Sequence, residues 1–199
     1  MAQSRDERNM STLQRYVSDM MALESHIEEA LDRQLAEVKE HNRARLAVHH
    51  FHTMVKGHRD GLKLHLQTIG GGEARSIKSA VAALAGVAAG VLNWMRTEPL
   101  SKTLRDDYTA FNLAAIGYSM LHATAHYLGH EPTASLAERY LREYTAAVQE
   151  INQLMPDVVA WELRRDGHVI DEQMVSHAVE TINRCWKETA PGHAARPAA

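Results

Sequence analysis

The side chains in this sequence able to hold a metal ion or move a proton fall at helical spacing. Glu24 takes a core position in the stripe Leu13, Val17, Met20, Glu24, Ile27, Leu31, Leu35, Val38, with steps of three and four residues that mark one face of a helix. A carboxylate there costs several kcal/mol unless it is paired or ligated. His58 and His65 fall likewise in the stripe Val48, Phe51, Val55, His58, Leu62, His65, Ile69. Glu143 and Glu150 lie beside a later stripe, and Glu143 shares its side with Tyr140, Ala147 and Leu154. Inward carboxylates and histidines from several helices are the ligand set for a pair of iron or manganese ions. Carboxylates bridge and neutralise the cations, and histidine leaves positions open for oxygen or peroxide. Each residue has a second reading: Glu24 paired with a buried histidine, His58 and His65 as hydrogen-bonded core residues, Glu143 and Glu150 on a solvated face. His122, His126 and His130 recur every four residues, and two such histidines can share a transition ion, the other reading being an interfacial or surface cluster, since no third ligand is identifiable. The cluster His49, His50, His52 is a further group of the same kind.

These residues are carried by long helices. The chain has 199 residues, enough for one substantial domain, with 5 Pro and Gly concentrated at junctions. The first helix is expected from Ser11, with Gln14 at capping-box spacing. The second should run from about Asn42 to Ile69 and stop at Gly70-Gly71-Gly72, a C-cap signal. A third, Ala-rich segment from about Ala74 to Arg96 carries a thin Gly86-xxx-Gly90 face suited to close packing. The fourth, Ser101 to Leu128, has the stripe Leu104, Tyr108, Phe111, Ala115, Tyr118, His122, Ala125 and is apolar nearly all round over Thr109–Leu121. Thr133 is expected to cap the next helix, which Pro156 should kink or end. A short amphipathic piece follows Gly167, from about Glu172 to Lys187. The domain reading is a tail over 1–10, a bundle over 11–160, a C-terminal extension with one short helix over 161–188 and a disordered tail over 189–199. Four long helices with one long connection in the middle give the fold class: all-α, a ferritin-like four-helix bundle with a helical long crossover and a C-terminal helical extension.

Charge and composition exclude other classes. With 22 Lys and Arg against 25 Asp and Glu the net charge is −3, which speaks against nucleic acid and anionic membranes as partners. One Cys, Cys185, makes no disulfide framework or zinc ribbon. The charged start has no apolar leader, so the expected location is cytoplasmic. No catalytic triad, phosphate loop or dinucleotide fingerprint is visible.

The sequence resembles the small bacterial ferritin-like proteins related to YciE and YciF, over roughly residues 12 to 160. The resemblance rests on Asp19-Met-Met-Ala-Leu-Glu24, on Gly57-His58 through Leu62 with Ile69-Gly70, and on Tyr118, Leu128-Gly129, Leu141-Arg142-Glu143 and Ala146-Ala147. It implies a stress-associated four-helix bundle, commonly dimeric, with a di-metal carboxylate centre. Carried over residue by residue, the ligand set thins out. Glu24 and Glu143 remain, but Met54, Val55 and Lys56 stand where acids tend to precede His58. Asn112, Leu113 and Ala114 stand where an inward Glu is due, and Tyr144 where a second acid is frequent. Two divalent ions in a dry core call for about four anionic ligands. The metal candidates are therefore Glu24, His58, His122 and Glu143. No stoichiometric cofactor is expected, iron or manganese at low occupancy being the most this set would hold. The expected function is a non-catalytic structural or interaction module, a homodimer, with metal-dependent oxygen or peroxide chemistry as the alternative.

Overall fold

The computed structural model describes residues 4–70 and 99–188, and the described residues are helical, without strands. The helices are α1 (Arg5–Glu37), α2 (Asn42–Thr68), α3 (Leu100–Tyr127), α4 (Glu131–Arg165) and α5 (Glu172–Glu188). The Ala-rich segment over 74–96, its Gly86-xxx-Gly90 face and the tail over 189–199 lie outside the described residues.

Cross-helix contacts fix the topology. Gln14 meets Ile69 and Arg59 meets Glu28, so α1 and α2 run antiparallel. Gln34 meets Asp107 and Glu24 meets Tyr118, so α1 and α3 are antiparallel too. His65 bonds Thr133 and Arg43 bonds Asp157, which sets α2 against α4. Ser101 bonds Glu162 and His122 bonds Ala134, which sets α3 against α4. α1 and α4 are thus parallel diagonals, as are α2 and α3. The end of α2 and the start of α3 stand at opposite ends of the bundle, as in a ferritin-like arrangement with a long middle connection.

The core is one apolar column with steps of three and four residues on every helix, including Leu13, Val17 and Leu31 of α1 and Phe51, Val55 and Leu62 of α2. Gly70 ends α2 with φ +77°, a conformation that suits glycine after a helix. α5 packs on α4, and Trp186 meets Tyr108 edge-on at 6.2 Å.

Several local expectations are corrected. α1 begins at Arg5, inside the expected tail, because Ser4 and Glu7 form the capping box that Ser11 and Gln14 do not. His130, not Thr133, caps α4, its Nδ1 accepting from the Thr133 amide. Pro156 does not end α4, which continues to Arg165, five residues past the expected boundary. On α3 the buried line is Leu104, Asp107, Phe111, Ala114, Tyr118, Leu121, Ala125, so Tyr108, Ala115 and His122 sit one residue round from the axis. A helix apolar on most sides does not reveal which side faces the axis.

Candidate functional site

Glu24 is fully buried at mid-height of the bundle. Both its oxygens accept hydrogen bonds from phenols, Oε1 from Tyr118 of α3 and Oε2 from Tyr144 of α4 at 2.6 Å. His58 of α2 lies against it, with Nδ1 3.4 Å from Glu24 Oε1. The other ring nitrogen, Nε2, is 2.8 Å from Glu143 Oε2. Tyr140 stacks on the His58 ring at 4.0 Å, and the Arg139 guanidinium lies 4.9 Å from the Tyr140 ring centre. The Glu143 side chain is 44% exposed while that of His58 is 2% exposed, so the cluster runs from solvent at Glu143 to the dry axis at Glu24.

The protons can be placed from these contacts. A carboxylate only accepts, so His58 donates from Nε2 to Glu143. Nδ1 then faces a Glu24 oxygen and has no hydrogen-bond partner among the described residues. An unprotonated Nδ1 would set a lone pair against a carboxylate, and a protonated one sets a cation between two anions. Burial pulls the His58 pKa down, but Glu24 and Glu143 push it up by more, and it lies above its ordinary 6.5. Burial, and then the Glu24 charge, hold the Tyr118 and Tyr144 hydroxyls well above 10, so both stay donors.

The donor set does not fit a pair of metal ions. Two carboxylates and one imidazole converge here, fewer than the about four anionic ligands that two divalent ions in a dry core call for. α3 puts Ala114 on the buried line and turns Asn112 outward onto the Tyr108 carbonyl. Among the described residues no group of three or more His, Cys, Asp or Glu is arranged to hold an ion.

Of the four residues expected together, Glu24, His58 and Glu143 converge and His122 does not. The one-residue rotation of the α3 stripe turns His122 toward the start of α4, where Nδ1 is 3.0 Å from the Ala134 carbonyl. His65 is half-buried and bonds Thr133 at 2.7 Å. Glu150 faces out and pairs with His50 at 3.1 Å, while His52 pairs with Asp32 at 2.8 Å, so the histidine cluster of α2 divides between two neighbouring helices. Lys56 is exposed beside Asp60 and stays out of the core.

Sequence reasoning missed two features. Tyr118 and Tyr144 are the partners of Glu24, and the signal was present: tyrosines in core register need acceptors for their hydroxyls. Asp107 was overlooked between Leu104 and Phe111. It accepts from Gln34 Nε2 at 2.7 Å, and its Oδ2 has no partner among the described residues. Burial pushes its carboxyl up to about 7, against the opposing pull of Gln34.

The family model described as "Domain of unknown function (DUF892)" matches residues 11–164, and the chain belongs to that family. A crystal structure of a protein from Xanthomonas campestris pv. campestris is similar in fold, with a TM-score of 0.66 at 15% identity, covering 81% of this chain and 99% of that one. No curated protein matches the chain. No helix among the described residues is long and apolar enough to cross a membrane.

Proposed function

We propose that this member of the DUF892 family is a ferritin-like bundle related to YciE and YciF in which a protonated histidine and two phenols have taken over the role of the metal ions. The single observation that carries the reading is the closed hydrogen bonding of Glu24. Its two oxygens serve Tyr118 and Tyr144, and the cation beside it is the imidazolium of His58. In that arrangement the charge of Glu24 is compensated within the protein, by an imidazolium and two phenol donors, with no need of a metal ion. The chain then acts as a structural or interaction module, cytoplasmic and homodimeric, in a stress-associated setting.

Protein purified without a tag and analysed for metals should hold far less than one equivalent of iron or manganese, before and after anaerobic reconstitution. Two equivalents together with turnover of oxygen or peroxide would overturn the proposal. The second reading, a modified metal-dependent oxidoreductase, is favoured by one observation: Glu24, His58 and Glu143 meet from three helices. In it Tyr118 and Tyr144 stay hydrogen-bonded to a ligating Glu24, and it predicts that Glu24→Ala abolishes iron or manganese uptake.

A further inference from the structure

The C-terminal half of α3 carries a second histidine arrangement, apart from the buried cluster. His122 and His126 are one turn apart on the same face, and their rings are parallel within 7° at a centroid separation of 6.1 Å. A carbonyl oxygen only accepts, so the 3.0 Å contact with Ala134 places the His122 proton on Nδ1. In the neutral ring Nε2 is left with its lone pair, the orientation that a backbone carbonyl imposes on metal-bound histidines. His126 is exposed, and its ring makes no hydrogen bond among the described residues, so it can turn toward its neighbour. His130, the next histidine in the series, is engaged as the cap of α4 and contributes nothing here.

We infer that His122 and His126 form a two-histidine site for a borderline divalent transition ion, zinc or copper(II), with water completing the coordination shell. Two imidazoles at i and i+4 suit these ions better than calcium, magnesium or manganese, which prefer oxygen ligands. Glu138, close enough for His122 to lower its pKa and itself paired with Arg142, adds negative potential beside the site. The position on the bundle surface leaves coordination positions open to solvent.

The test is titration of the full, untagged, metal-stripped chain with zinc by calorimetry and with copper(II) by electron paramagnetic resonance. One site per chain is expected, with copper showing two coordinated imidazole nitrogens. His126→Ala, at an exposed position, should weaken the tightest site at least about tenfold, and His122→Ala should abolish the two-nitrogen signature. His49→Ala, an exposed histidine elsewhere, and Glu24→Gln, in the buried cluster, should leave the site unchanged. Unaltered affinity in His126→Ala, or equal loss in His49→Ala, would overturn the inference and mark the binding as adventitious. Because this site takes zinc or copper and is blind to Glu24, its failure is distinct from any finding of iron or manganese in the core.

Discussion

The charge state of the buried cluster is most directly tested by Glu24→Gln, which keeps the shape and removes the anion. Two phenols donate to Glu24. Hydrogen bonds to a charged acceptor contribute about 1.5–3 kcal/mol and neutral ones about 0.5–1.5, so the pair loses roughly 2–3 kcal/mol. At 3.4 Å from His58, the lost attraction is about 5 kcal/mol for an effective dielectric of about 20. Removing a buried carboxylate relieves a desolvation cost of several kcal/mol, which offsets most of that second loss. The net at pH 6 is a destabilisation of about 3 kcal/mol. As pH rises and His58 of the parent loses its proton, the attraction disappears from the parent as well, and the desolvation relief in the variant remains. The deficit of Glu24→Gln should therefore shrink as pH rises through the folded-state value of His58, which lies above 6.5. Urea denaturation followed by circular dichroism, run on both proteins at several pH values, measures this directly. A deficit constant with pH, or one that grows on the alkaline side, would show that no imidazolium faces Glu24.

Other expectations follow from the same contacts. The His58 pKa is raised in the fold, so the stability it confers is fully present below 6.5 and lost as pH rises through the folded-state value; proton-detected histidine titration should find His58 above 6.5 and Glu24→Gln should lower it. Tyr144→Phe leaves Glu24 Oε2 without its donor and should cost about 2 kcal/mol in the same denaturation assay, with little change in helix content. Asp107 is also raised, from 3.8 to about 7, so it too favours the fold at low pH and opposes it as pH climbs. That gap corresponds to at most about 4 kcal/mol, and Asp107→Asn should stabilise the protein by up to that amount at pH 8 while leaving it unchanged near pH 3; a loss of stability at pH 8 would contradict a buried carboxyl held against ionisation. Gly61→Ala places a methyl 2.1 Å from the Tyr140 hydroxyl, forcing that ring off His58, and should cost about 1–3 kcal/mol by thermal or urea unfolding.

What was legible in the sequence and what was not divide on physical lines. Helix existence was legible because apolar steps of three and four and the glycine at 70 are local signals, and α2 ends where that glycine stands. The inward aim of Glu24 was legible for the same reason, since Val17, Met20 and Ile27 flank it in register on α1. The rotation of α3 was not, because a segment apolar on most sides lets Tyr108 and Asp107 compete for one position. Tyr118 belongs to both lines; the contacts that tell them apart are made on other helices, by Gln34 on Asp107 and by the Ala134 carbonyl on His122. One holds Asp107 in the core beside Gln34, and the other turns His122 off the axis toward the start of α4. The acid that the resemblance calls for at 112–114 has no replacement there, since Ala114 is buried and Asn112 turns outward; one turn further along α3, Tyr118 instead donates to the carboxylate that α1 keeps.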